Sequence, residues 1–113
     1  MTTADDVDPV RLEVRDAELV VVLAGDLDVE IAHQPAELLH AYFDTPRQRD
    51  VVVVSVVVDL TAVSFVDSTG LGGLLRAQQE TGSQHLPFVL RGVGPRLYRL
   101  FQITGLNLQF ALE

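Results

Sequence analysis

The stretch that decides the fold runs from Asp59 to Leu75 and reads DLTAVSFVDSTGLGGLL. It follows a run of valines, and it places Gly70, Gly72 and Gly73 where leucines begin to recur at the spacing of a helix face. Each glycine costs a helix about 0.5–1 kcal/mol relative to alanine, so we expect a compensating role. Glycine permits close approach of another backbone or of a ligand, and a helix N-terminus exposes free N–H groups. The stretch therefore predicts a strand-to-helix junction that packs tightly or docks a partner.

Patterns on both sides of this junction predict the remaining elements. Before it, the sequence favours an antiparallel hairpin of strands at residues 10–14 and 19–23, a helix with Pro35 in its first turn, and a valine-rich central strand at residues 51–60. After it come a helix ending at Thr81-Gly82, a strand at residues 88–93, a helix opened by Gly94-Pro95, and a last strand in which Leu108, Phe110 and Leu112 alternate.

The order ββαβαβαβ predicts a single α/β domain at residues 10–113, after a polar leader at residues 1–9, with a mixed sheet and helices mainly on one face.

Composition restricts the class of partner. The chain has 113 residues, of which 48% are hydrophobic, so one core can close without metals or disulfides. Sixteen acidic residues against eight basic ones give a formal charge of -8, which disfavours nucleic acid and anionic membranes and favours a monomer. The absence of cysteine excludes a thiolate metal site and a cysteine nucleophile. Since neither a signal sequence nor an apolar run of about 20 residues is found, we expect a cytoplasmic protein.

Several residues of the junction have purely structural interpretations that stay open at this point. Ser68 is placed to be the helix N-cap, a role worth about 1 kcal/mol, and Asp67 could be a second capping acceptor. The glycines could serve only the close packing of helix on sheet. Asp26 and Asp28 follow the second strand, where they could solvate its end or cap the next helix as well as contact a partner.

Residues 59–72 resemble the signature of STAS domains, specifically the anti-sigma-factor antagonists of bacterial sporulation and stress switches. The segment Gly25-Asp26-Leu27-Asp28 is similar to a second, weaker motif of that family, and the predicted element order covers essentially the whole chain. The resemblance implies that Ser68 is phosphorylated by the anti-sigma factor, itself a GHKL-type ATPase and serine kinase. A phosphatase of the PP2C type would reverse the modification. Thr69 is a less favoured acceptor.

The resemblance also implies a partner-switching mechanism. The unmodified protein would bind the anti-sigma factor and so free the sigma factor for RNA polymerase. A phosphoryl group adds about -1.5 to -2 charge at pH 7, and next to Asp67 on an acidic protein it would release the partner. No cofactor, catalytic residue or metal ligand is implied. The expected partner-binding residues are Asp26, Asp28, Asp67, Ser68, Thr69, Gly70, Leu71 and Gly72.

Competing functions receive unequal support. A hydrolase nucleophile elbow needs glycine where Val66 stands, Asp-Ser-Thr-Gly has one residue too many for an aspartic protease, and a phosphate-binding P-loop needs a lysine that the chain lacks. The histidines His33, His40 and His85 do not have the spacing of metal ligands. The strongest alternative is a STAS scaffold or small-ligand-binding sensory module without a phospho-switch, because fold alone does not decide function.

Overall fold

The centre of the protein is a five-stranded mixed β-sheet. The computed structural model describes residues 9–45 and 52–113. The strands lie side by side in chain order: β1 (Val10–Arg15), β2 (Glu18–Leu27), β3 (Ser55–Val66), β4 (Phe88–Arg91) and β5 (Ala111–Leu112). The helices are α1 (Gln34–Asp44), α2 (Ser68–Gly82) and α3 (Pro95–Thr104), followed by a short 3-10 helix at Leu106–Leu108. The predicted element order and the central position of β3 are confirmed. Most of the predicted leader, and the predicted start of the central strand at residue 51, lie outside the described residues.

The pairing of the strands explains why the helices share one face. β1 and β2 form the predicted antiparallel hairpin, while β2, β3, β4 and β5 pair in parallel. Among the described residues, one α-helix joins each parallel pair, and the strands follow one another in one direction across the sheet. Because crossovers between parallel strands are right-handed as a rule, the helices lie on the same side. One hydrophobic cluster accordingly joins the sheet to all three helices, and its members include Val21, Val58, Leu39, Leu74 and Phe101.

The opposite face of the sheet carries no helix among the described residues, and charged side chains cover much of it. Glu13 receives hydrogen bonds from Arg11 at 2.6 Å and from Arg15 at 2.8 Å. Val20, which pairs with Glu13, and Val57 are nevertheless fully buried. Long charged side chains can cover apolar surface with their aliphatic stems while their heads stay in water, which fits this arrangement.

Two strands run further than the sequence pattern indicated. β2 continues past Gly25 to Leu27, and β3 continues past Leu60 to Val66, so that the two remain paired over their carboxyl halves. The extension includes two register shifts, and Gly25 adopts a φ of 80° between them, a conformation that side chains rarely allow. The predicted strand ends at residues 23 and 60 are therefore wrong, because parallel pairing carries both strands through the irregular segment.

The predicted last strand is also shorter than expected. Gly105, with a φ of 78°, ends α3, and Leu108 falls in the 3-10 helix with 88% of its surface exposed. Of the predicted last strand, only Ala111 and Leu112 pair with β4. Phe110 is buried, with its ring centroid 5.7 Å from that of Phe101, and this contact anchors the end of the chain to the core.

Candidate functional site

The carboxyl ends of β2 and β3 meet at one edge of the sheet and bring the predicted site residues together. Asp26 pairs with Phe65 and Leu27 with Val66, and the backbone N–H of Asp67 donates to the carbonyl of Leu27 at 3.3 Å. Asp26 and Asp28, which the resemblance gives as partner-binding residues, therefore lie at the same edge of the sheet as the start of α2.

The N-cap of α2 is Asp67 and not Ser68. The carboxylate Oδ1 of Asp67 accepts a hydrogen bond from the N–H of Gly70 at 2.8 Å, and the Asp67 backbone has the extended conformation of an N-cap. Ser68 is the first helical residue, so the prediction that its side chain caps the helix is wrong. The hydroxyl of Ser68 is exposed and forms no hydrogen bond with any residue that the structure describes.

The three glycines of α2 divide into two groups. A Cβ at Gly70 would overlap the carbonyl oxygen of Leu27, and one at Gly73 would overlap the carbonyl oxygen of Ala32. Both glycines therefore allow the helix to lie directly on neighbouring backbone. A Cβ at Gly72 would meet no atom within 4 Å, so close packing within the domain does not require that glycine.

The start of α2 consequently has an inner and an outer face. Gly70 and Leu71 are buried, and Leu71 belongs to the hydrophobic core. Of the predicted partner-binding residues, these two are therefore covered in the free domain, where they support the outer part of the helix from beneath. Ser68 and Thr69 are exposed and Gly72 is partly exposed, and residues three or four apart in a helix lie next to each other. We refer to Ser68, Thr69 and Gly72 as the outer face of α2.

Asp26 and Asp28 differ in their local roles. Asp28 accepts a hydrogen bond from the N–H of Glu30 at 3.1 Å, and its carbonyl accepts one from Ala32 at 2.8 Å, so it organises the turn after β2. It does not cap α1, whose N-cap residue is His33 and has no side-chain cap. Asp26 is exposed at the end of β2. Within the described residues, neither these two carboxylates nor that of Asp67 forms an ion pair, so three carboxylates without an ion-pair partner lie at this edge.

The ion pairs of the described residues lie elsewhere. On the helix-free face, Arg91 hydrogen-bonds Glu113 and also binds Glu18 at 3.1 and 3.2 Å, and the bond from Arg91 lowers the pKa of Glu113 below its usual 4.5. His40 lies 3.1 Å from Glu80, which links α1 to α2. Among the described residues, no group of three or more His, Cys, Asp or Glu side chains is arranged to hold a metal ion. Nor does any described helix have the length and apolar character needed to cross a membrane.

A concave feature beside α3 was not predicted from the sequence. A groove of about 480 Å³ lies between the carboxyl end of β3, the turn after β4, and α3, and we call it the α3 groove. Phe65 and Ile103 contribute exposed apolar surface to it, and Arg96 and Arg99 line it. The groove cannot be predicted when β3 is taken to end at residue 60, because part of its wall lies beyond that residue. The alternation of Val63 and Phe65 was a signal that the strand continues.

Comparison with known proteins gives consistent results. A model of the STAS domain family matches residues 9–113. An anti-sigma-B factor antagonist of Listeria monocytogenes serovar 1/2a is 34% identical over 99 residues, which are 87% of this chain and 82% of that protein. The crystal structure of an anti-sigma factor antagonist from Mycobacterium paratuberculosis superposes with a TM-score of 0.72 at 27% identity, covering 99% of this chain and 89% of that one. The Bacillus cell fate determinant SpoIIAA, solved in its phosphorylated form, shares the fold with a TM-score of 0.64 at 23% identity, covering 92% and 90% of the two chains.

Proposed function

The chain belongs to the STAS domain family, and on that premise we propose that it is an anti-sigma-factor antagonist rather than an enzyme. In this proposal the unphosphorylated form binds an anti-sigma factor of the GHKL serine kinase type through the outer face of α2 and the adjacent carboxylates. Phosphorylation of Ser68 abolishes binding, and a PP2C-type phosphatase restores it. The names of the relatives support the antagonist function, and the geometry around Ser68 supports the switch.

The observation that carries the proposal is the division of roles between Asp67 and Ser68. Asp67 already satisfies the N-terminal N–H of Gly70, so α2 does not need the hydroxyl of Ser68 for its own stability. That hydroxyl is exposed at the first position of the helix. A kinase can therefore modify Ser68 without displacing a capping interaction, and the domain stays folded in both states.

The charge distribution explains why a phosphoryl group at Ser68 would act as an off switch. A phosphoserine adds about -1.5 to -2 charge and three acceptor oxygens at pH 7. The helix N-terminus partly stabilises this charge within the free protein. Asp26, Asp28 and Asp67 lie at the same edge without ion-pair partners in the described residues, so the modified edge becomes strongly anionic. A partner that docks there loses affinity through repulsion and through the cost of desolvating the phosphate.

The test is affinity capture from a lysate of the source cell with three baits: the wild type, Ser68→Ala and Ser68→Asp. We expect the wild type and Ser68→Ala to retain a GHKL-type kinase that mass spectrometry identifies, and Ser68→Asp to lose it. Incubation with that kinase and ATP should add one phosphoryl group to the wild type and none to Ser68→Ala. A PP2C-type phosphatase should remove the group and restore binding.

Thr69 supplies a matched control because it is exposed in the same turn. Thr69→Ala should still be phosphorylated, and Thr69→Asp should weaken binding less than Ser68→Asp does. If the wild type and Ser68→Asp retain the same proteins, or if no kinase of this class is captured, the partner-switching proposal is wrong.

A further inference from the structure

The α3 groove has the dimensions and lining of a small-molecule site. Its volume of about 480 Å³ lies within the roughly 300–1,000 Å³ of typical ligand pockets. The side chains that line it are mostly apolar: Leu60, Val63, Phe65, Val66, Leu97, Leu100 and Ile103. The exposed fractions are 55% for Phe65 and 73% for Ile103, so this apolar surface is open to an incoming molecule.

The position of the groove follows from the topology of the sheet. β4 pairs with β3 only from Val56 to Asp59, so residues 61–66 of β3 have a strand partner on the β2 side alone. The chain leaves β4 through Gly92, where a Cβ would overlap the side chain of Thr61. The chain therefore passes close to β3 at Thr61 before α3 begins at Pro95. The groove therefore lies outside the carboxyl end of β4 and beside an edge of β3 that no described strand covers.

The charge of the groove is opposite to that of the protein. Arg96 and Arg99 line it, and none of its described lining residues is acidic. Neither arginine forms an ion pair or hydrogen bond with the part of the chain that the structure describes. On a chain with a formal charge of -8, two unpaired guanidinium groups beside an apolar surface constitute a local site for an anion.

We propose that the α3 groove binds a single-chain amphiphilic anion, with its hydrocarbon chain along the apolar side chains and its carboxylate or phosphate group at Arg96 and Arg99. The apolar wall supplies affinity in proportion to the area that it removes from water. The guanidinium groups select a carboxylate or phosphate head, because their planar donors match the geometry of these groups.

The experiment uses the full chain and three amphiphiles of equal chain length, each below its critical micelle concentration. Dodecanoate and dodecyl phosphate should bind saturably in isothermal titration calorimetry, whereas dodecyltrimethylammonium should bind at least tenfold more weakly. Arg96→Gln and Arg99→Gln should each weaken dodecanoate binding about fivefold, the upper range for an exposed ion pair. Arg76→Gln is the matched control, because Arg76 is an exposed arginine of α2 outside the groove, and it should change affinity less than twofold.

An apolar pair of variants tests the hydrocarbon side of the groove. Ile103→Gln should weaken dodecanoate binding about fivefold, while Leu108→Gln should have no measurable effect, because Leu108 is 88% exposed but does not line the groove. Equal affinity for the cationic amphiphile, no saturable binding of either anion, or insensitivity to both arginine variants would overturn the proposal. Binding to phosphatidylglycerol vesicles without binding to monomeric dodecanoate would also overturn it, in favour of a membrane-surface contact.

Discussion

Replacing Gly70 by alanine should destabilise the domain by about 1–2 kcal/mol, whereas the same replacement at Gly72 should stabilise it by about 0.5–1 kcal/mol. A Cβ at position 70 would overlap the backbone carbonyl oxygen of Leu27 and lie 3.0 Å from Cγ1 of Val66. The backbone oxygen cannot rotate away, so α2 or β2 must shift. Because the overlapped atom is backbone, the upper part of the overpacking range applies, about 2–3 kcal/mol, and subtracting a gain in helix propensity of about 1 kcal/mol leaves about 1–2 kcal/mol.

Gly72 provides the comparison because only the propensity gain applies there. Its Cβ would enter open space, and Gly72 lies in the same helix two residues away. A difference of about 2 kcal/mol between the variants corresponds to roughly 1 M in the urea midpoint at an m-value of about 2 kcal/mol/M. Equilibrium urea denaturation followed by circular dichroism measures both midpoints on one instrument.

Two results would refute this argument. A Gly70→Ala protein as stable as the wild type would mean that the helix does not lie directly on the backbone of β2. A Gly72→Ala protein less stable than the wild type would mean that Gly72 has an intramolecular role that the described packing does not contain. If Gly72→Ala is more stable but binds the captured partner more weakly, the glycine serves the interface and not the fold.

Three further predictions concern the helix cap, the helix-free face and the core. Asp67→Ala should lower stability by about 1 kcal/mol in urea denaturation, while Ser68→Ala should stay within about 0.5 kcal/mol of the wild type; the reverse order would restore Ser68 as the cap. Since Arg91 lowers the pKa of Glu113 below 4.5 in the folded state, their interaction stabilises the protein above pH 4.5 and is lost as the pH falls through the folded pKa. The Tm deficit of Arg91→Gln should therefore be largest near neutral pH and shrink below pH 4.5, and a deficit that grows in acid would contradict the assignment. Phe101→Ala should cost about 3–5 kcal/mol, because Phe101 is fully buried; a loss below 1 kcal/mol in the same assay would contradict its place in the core.

The order of the elements could be predicted because the type of each strand or helix does not change when its ends are misplaced by a few residues. Alternation at residues 10–14 and the following apolar run specify a hairpin, and helices between the later strands require parallel crossovers. Parallel crossovers also place the carboxyl ends of β2 and β3 at one edge. The proximity of Asp26 and Asp28 to Asp67 was therefore predictable from topology, without any knowledge of side-chain contacts.

The exact cap of α2 was harder to predict because its neighbours are chemically similar. Aspartate and serine are both preferred N-cap residues, and a boundary that moves by one residue exchanges their roles. The different roles of the glycines, in contrast, could be predicted from their spacing in the sequence. Gly70, Gly73, Leu74 and Ala77 recur at the spacing of the buried face, and Gly72 falls outside it.

The extension of β3 and the α3 groove were missed for a different reason. Residues 61–66 pair with β2 through two register shifts, so the short alternation of Val63 and Phe65 is out of phase with the alternation that ends at Leu60. The last strand, in contrast, was predicted to be longer than it is, because alternation over only five residues also occurs by chance. Leu108 fits the pattern but lies in a 3-10 helix, because Gly105 turns the chain away from the sheet first.

The positions around the start of α2 suggest how one short segment can combine a stable fold with a reversible signal. Asp67 caps the helix, and Gly70 and Gly73 hold it against backbone, so the stabilising interactions all point inward. Ser68 and Gly72 contribute little to this packing, and they occupy the side that a partner can reach. If Ser68 is the phosphorylated residue, as we propose, the modification changes the charge of the outer face while the inner contacts remain in place. The free energy of phosphorylation then acts on partner affinity instead of on folding, as a switch that is reset by a phosphatase requires.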